Sequence, residues 1–318
     1  MGRVDKQEAQ LKMVSTAGRV AWRKKPAVRE AAFFYVCVAP WILGFILFTA
    51  GPLIASMLIS FTRWDFISPS TFIGLENYQA ALDDELFFKS LKVTTVYTFL
   101  SVPLGLVGGL LVAWLMNQKL TGITLFRTLY YLPSVIAGVA VALLWQWIFN
   151  PNYGLINAML ALVGIQGPKW IYAEAWVVPA FVLMSLWSVG APMIIYLAAL
   201  QNVPTELYEA ASLDGAGALR RFWSITLPMI SPVIFLNLII GIINSFQIFT
   251  SVYIMTEGGP NNGSLFFVLY IYRHAFQYFN VGYASALAWI LFIIIMALTL
   301  IVFKTSRAWV YYEGVSAK

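Results

Sequence analysis

The residues of this chain best placed to do chemistry do it without covalent bonds. Between two long apolar runs lies a polar string: Glu209-Ala210-Ala211, then Gly215, then Ile225, Leu227 and Pro228. Carboxylates, small alanines and a glycine turn are the parts of a docking surface, because alanine lets a partner's backbone come close. Pro204-Thr205-Glu206 reads as a helix start, with Thr205 as a hydroxyl cap and Glu206 and Glu209 near the positive end of the helix dipole. Leu207, Ala210, Ala211 and Leu213 then give a short helix with a shallow face. Asp214 closes it, and Gly215 stands where a left-handed cap turns the chain. A second short helix is expected from Ala218 to Ile225, ended by Leu227-Pro228. Such a hairpin suits the groove of a soluble partner.

A second set of groups sits inside the apolar runs themselves. Trp187 and Ser188 lie in one, and Asn237, Gly241, Asn244, Ser245 and Gln247 in the next. Gly241, Asn244 and Gln247 are spaced by three, which puts them along one face of a helix. Aromatic platforms with amides and hydroxyls suit sugars, which present apolar faces and polar edges. The same residue types also join helices to one another or anchor them at membrane interfaces.

Catalytic and metal chemistry find little support. The single histidine, His274, cannot form a metal cluster, and the single cysteine, Cys37, cannot form an internal disulfide. There is no glycine-rich loop followed by Lys-Ser/Thr, so the chain has no such device for binding ATP. The fourteen acids all fall outside the middles of the apolar runs, which argues against a proton relay at membrane depth. Sodium coupling through carbonyls and hydroxyls stays open on these grounds.

The elements that must position these groups are membrane helices. With 60% hydrophobic and 11% charged residues in 318, the chain cannot be a water-soluble globule. Six apolar runs, about 31–61, 90–117, 127–149, 174–200, 231–256 and 281–303, are each long enough to cross a bilayer as a helix. They are too long for barrel strands, so the expected fold is an all-α polytopic bundle of six transmembrane helices. Fifteen of the twenty Lys and Arg fall on one side if both termini are cytoplasmic, including the cluster Arg19, Arg23, Lys24, Lys25 and Arg29. That topology puts the Glu209 string in the cytoplasm and needs no cleaved leader. The basic cluster is expected to face anionic lipid headgroups, with no role in nucleic-acid binding.

The spacing from Glu209 to Pro228 resembles the EAA loop by which permease subunits of binding-protein-dependent ABC importers dock on their ATPases. Tyr131-Leu132-Pro133, Ile254-Met255-Thr256-Glu257-Gly258-Gly259-Pro260, Pro40-Trp41 and Gly51-Pro52 are similar to the carbohydrate branch of these permeases, which includes maltose, oligosaccharide and glycerol-phosphate types. The resemblance implies a type I permease fold. It divides the chain into a basic cytoplasmic segment (1–30), a first transmembrane helix (31–61), a transmembrane core (86–303) with its coupling loop (204–228), and a cytoplasmic tail (304–318).

It also implies partners: a second homologous permease, two cytoplasmic ATPase subunits that use ATP and Mg, an extracytoplasmic solute-binding protein and a sugar. The setting would be a bacterial or archaeal cytoplasmic membrane. No cofactor or metal is expected on this chain, which would be a transport subunit and not an enzyme. Glu206, Leu207, Glu209, Ala210, Ala211, Leu213, Asp214 and Gly215 would couple to the ATPase. By register from the loop, Trp187, Ser188, Ala191, Gly241, Asn244, Ser245, Gln247 and Ile248 would face the solute. Residues 62–89 are short where the maltose-type subunit carries a large insertion, so its contacts with the binding protein do not transfer. Glycerol phosphate, an acidic sugar or a polyamine are alternative cargoes, and an ion-coupled carrier is the alternative machine.

Overall fold

The computed structural model describes residues 26–118 and 120–311. The basic cluster from Arg19 to Lys25, Lys119 and the last tail residues lie outside the described residues. Two compact units divide at Leu58. In the first, α1 (Pro26–Phe45) passes through a wide π turn, Ile46–Ala50, into α2 (Gly51–Ile59). This run supplies one span, Glu30–Ile59, with a mean hydropathy of 2.2.

The second unit begins with a small hairpin of β1 (Thr62–Arg63) and β2 (Thr71–Phe72), the only departure from the all-α expectation among the described residues. After α3 (Glu76–Leu82) come α4 (Glu85–Met116), α5 (Ile123–Tyr131), α6 (Gly138–Ile148) and α7 (Leu155–Leu162). They are followed by α8 (Glu174–Leu186), α9 (Gly190–Gln201), α10 (Thr205–Leu213) and α11 (Ala218–Arg221). The chain closes with α12 (Leu227–Phe246), α13 (Thr250–Met255), α14 (Phe267–Tyr272) and α15 (Val281–Ser306).

Four helical runs are long and apolar enough to cross a membrane, and six if each of two bent pairs is one span. The third and fourth expected spans are these bent pairs. The first bends by 99° after the 3-10 turn at Leu132–Val135, and the second by 46° between α8 and α9. Pro133, which has no N–H to donate, ends the α-helix in a 3-10 turn, and the first bend itself falls at Ile136 and Ala137, whose ψ values are 137° and 133°. At the second, Gly190 packs on the neighbouring backbone: a Cβ there would stand 2.1 Å from the Tyr130 carbonyl oxygen. Only glycine lets the bend close on α5.

Pro228 does not end a helix as expected, because Ala218–Met255 runs on as one span. A π turn, Phe222–Thr226, precedes it, with the Leu227 N–H donating five residues back to Phe222. Gly51-Pro52 follows its own π turn in the same way, with Gly51 N–H donating to Ile46. The wider turn carries the chain past a residue that has no N–H to donate, where an α-helix would kink.

Two apolar clusters fix the ends of the core. Phe87, Phe149, Trp170, Phe181, Phe266 and Phe267 gather at one end; Met116, Met193, Tyr196, Leu200 and Ile230 gather at the end that carries the loop. At the first end, Asp84 caps α4 by accepting the Leu86 N–H at 2.8 Å. Its carboxylate also accepts from the Tyr270 and Tyr283 hydroxyls, joining α4, α14 and α15. Burial alone would raise the Asp84 carboxyl, but the tyrosine and backbone donors hold it below its ordinary value.

His274 packs edge-on against Tyr270, Tyr278 and Tyr283. Burial pushes its imidazole down from 6.5, against the pull of the Asp84 charge. A depressed histidine contributes stability that is fully present above 6.5 and is lost as pH falls through the folded value. Asp84 acts in the same direction, but only below 3.8. The melting temperature of the detergent-solubilised chain is therefore expected to fall between pH 7 and pH 5. His274→Phe, which keeps the ring packing, should flatten that slope, and an unchanged slope in this variant would rule out His274 as its source.

Candidate functional site

The Glu209 string folds as a braced helical hairpin. Helix α10 begins with Pro204 at its cap in extended conformation and no side-chain cap, so Thr205 is the first helical residue and not the hydroxyl cap expected. Pro204 has φ −56°, already near the helical value, so the chain enters the helix one residue earlier than a Thr205 cap would allow. The far end follows the expectation. Gly215 has φ +75°, its N–H donates to Ser212 at 3.1 Å, and the Ala216 N–H donates to Ala211 at 2.8 Å. This pair of bonds is a Schellman closure, which requires a left-handed residue at Gly215.

Two side-chain bonds brace the hairpin. Tyr208 and Thr226 share a hydroxyl bond of 2.8 Å, and Arg221 donates to the Ser212 hydroxyl at 2.7 Å. Tyr208 also packs on the loop-end cluster. The opposite face is open: Glu206, Leu207, Glu209, Ala210, Leu213, Asp214 and Gly215 are exposed, and Ala211 is half-buried. Leu213 is 90% exposed. It stands bare between the carboxylates of Glu209 and Asp214 on this open face.

A cavity of about 260 Å³ lies among α4, α9, α12 and the bend after α8. From the residues expected to face solute, Ser188, Gly241, Asn244, Ser245 and Ile248 line it. Trp187, Ala191 and Gln247 do not. The Trp187 ring turns away to meet Trp145 edge-on at 6.0 Å in the outer core. Ala191 is exposed outside the lining, and Gln247 lies beyond the end of α12, where the helical stripe that was to carry it has stopped.

Helix α4 supplies a wall that the sequence reading missed, with Tyr97, Ser101, Val102, Gly105 and Leu106. The signal was present, since Thr94, Thr98, Ser101 and Gly105 follow one another at helical spacing within an apolar run. Ser101 is buried, one turn along α4 from Tyr97 in the same wall.

The cavity carries hydrogen-bonding groups and no charge. Ser185 and Ser245 donate their hydroxyls to carbonyls of their own helices, Val182 at 2.7 Å and Ile242 at 3.0 Å. Asn237 spends one amide hydrogen on Val233 at 2.9 Å. What remains along the lining is a mixture of donors and acceptors: the Asn244 amide, the second Asn237 amide hydrogen and the Tyr97, Ser101 and Ser188 hydroxyls can each donate, and their oxygens can accept. Uncharged donors and acceptors together match a solute rich in hydroxyls, which both give and take hydrogen bonds.

The cavity and the hairpin share one helix. The span Ala218–Met255 contains Thr226, bonded to Tyr208, and Gly241 and Asn244 in the cavity wall. Fifteen residues separate Thr226 from Gly241, roughly 22 Å along a helix.

Residues 93–310 match the family described as "Binding-protein-dependent transport system inner membrane component". The chain is 43% identical to the probable ABC transporter permease protein YesP of Bacillus subtilis, over 93% of this chain and 98% of that one. It is 32% identical to the trehalose/maltose transport system permease protein MalF of Thermococcus litoralis, over 88% and 95%. Among solved structures it resembles a bacterial alginate ABC transporter in complex with an alginate pentasaccharide-bound periplasmic protein. The TM-score is 0.79 at 25% identity, covering 90% of this chain and 98% of that one.

Proposed function

We propose that this chain, which belongs to the family of binding-protein-dependent transport system inner membrane components, lines the translocation pathway of an ATP-driven importer of neutral sugars. Its relatives include a probable ABC transporter permease and a trehalose/maltose transport system permease. The observation that carries the proposal is the continuous span Ala218–Met255, which runs from the hairpin brace at Thr226 to Gly241 and Asn244 in the wall of a cavity lined by uncharged polar groups. In this reading both termini and the hairpin are cytoplasmic, and the chain pairs with a second permease. Two ATPases bind the exposed face of α10, and ATP with Mg is consumed by them and not here. An extracytoplasmic binding protein delivers the sugar.

ATP-driven closure of the ATPases moves α10, the Tyr208–Thr226 bond transmits the motion to α12, and the cavity wall at Gly241 and Asn244 turns with it. Glu209 is a docking contact in this scheme, with no catalytic role. Alginate is an acidic polymer, but an acidic cargo would call for a cation at the site, and the lining here has none. The reading is tested in vesicles containing this chain, its partner permease and the ATPases. Uptake of a neutral oligosaccharide from its loaded binding protein should require ATP inside. Uptake driven by a sodium gradient without ATPase would overturn it in favour of an ion-coupled carrier.

A further inference from the structure

At the end of the core opposite the hairpin, a groove of about 600 Å³ opens between α4 and α8. Its walls are apolar, with Val96 and Leu100 on α4 facing Val178 and Pro179 on α8. Its head is charged. Lys89 is matched by Glu174 at 3.2 Å, and Glu174 also accepts the Asn261 amide at 2.9 Å. Lys92, one turn deeper and exposed, makes no ion pair or hydrogen bond among the described residues.

Lys92 stands about 10 Å along α4 from Glu85, at the mouth of the apolar trough, where a lysine near the end of a membrane helix meets an anion at the interface. Pro179 adds a second polar feature. It has no N–H to give the Ala175 carbonyl four residues earlier, so that acceptor loses its ordinary helical donor, and Ala175 also lines the groove. The groove therefore offers a long apolar trough, one uncompensated cation and one carbonyl that wants a hydroxyl.

We propose that this groove binds a phosphatidylglycerol-type lipid. Lys92 meets the phosphate, the Ala175 carbonyl accepts a headgroup hydroxyl, and the acyl chains lie along Val96, Leu100 and Val178. A zwitterionic headgroup lacks the net charge for Lys92, and a free phosphate has no use for the trough. The site is separate from the cavity at Gly241, and it needs neither the cargo nor the membrane orientation proposed above.

The test is native mass spectrometry of the full chain released from lipid discs holding equal amounts of phosphatidylglycerol and phosphatidylcholine. Phosphatidylglycerol should be retained about fivefold over phosphatidylcholine, the ratio given by about 1 kcal/mol for one lysine near an anionic lipid. Lys92→Gln should abolish that preference, and Lys92→Arg should keep it. Val96→Trp, which fills the trough without changing charge, should lower retention of both lipids. Equal retention by the unaltered chain, or an unchanged preference in Lys92→Gln, overturns the proposal. So does displacement of the lipid by inorganic phosphate, or a cross-link from Lys92→Cys to the second permease in the assembled transporter, which would make the groove a protein interface.

Discussion

Gly215→Val is expected to cut sugar uptake by about 5- to 30-fold in vesicles containing the assembled transporter, with ATP hydrolysis near its normal rate. The size follows from the backbone: a residue with a Cβ costs about 1–2 kcal/mol in the left-handed region, and valine is among the worst there. Space is not the cause, because a Cβ at Gly215, whose φ is +75°, meets nothing within 4 Å. The chain can relieve the strain by opening the Schellman closure, which frees α10 to change its angle to α11. The ATPases would then move a lever that has come loose from α12.

Gly217 provides the control. It is also open, but its φ is −67°, ordinary for any residue. Gly217→Val should leave uptake within about twofold of normal, since an exposed position with unstrained backbone tolerates most changes. Equal loss in both variants would mean that bulk on the docking face matters and the turn does not. Loss of ATP hydrolysis in step with uptake would mean that Gly215 serves docking, with no role in transmission.

The hairpin was legible in the sequence because its signals are local. Alanines at helical spacing and a glycine after Asp214 specify a helix and its stop within eleven residues, and no distant contact overrides them. Thr205 was misplaced because a hydroxyl next to proline suits a cap equally well on paper. The apolar runs were legible as lengths but not as directions. Hydropathy counts residues and cannot register a 99° bend, although Pro133 was in view. Gly190 needed a tertiary contact, the Tyr130 carbonyl, to explain it.

The solute cavity was half legible for a related reason. A polar residue in an apolar run faces protein, but sequence does not say which protein surface. Asn244 and Ser188 face the cavity, whereas Trp187 is drawn to Trp145, where aromatic packing with the outer core decides its direction. The α4 stripe was overlooked because Thr and Ser read as tolerated residues in membrane helices, which back-bond to their own turns. Thr94 does so with Ser90 at 2.9 Å, but Thr98 and Ser101 do not.

Gly241→Leu is expected to lower uptake of every sugar by at least about tenfold, because it closes the cavity from within. A Cβ at Gly241 would lie 3.2 Å from Val102 Cγ1 across the space between α12 and α4. Leucine adds three further carbons that have only the 260 Å³ cavity to enter, and overpacking of this kind costs about 1–3 kcal/mol where it distorts the walls. Asn244→Ala should behave differently. It removes a polar group and leaves the space, so a discriminating contact is lost: KM rises for the native sugar, and preference among sugars weakens.

Compensation separates blockage from misfolding. Gly241→Ala alone should impair uptake mildly, since its methyl presses on Val102, and Gly241→Ala with Val102→Ala should restore it by returning the lost volume to the cavity. If the pair is no better than Gly241→Ala alone, the α4 wall does not face the pathway. The route of the sugar must then be sought on the other side of α12.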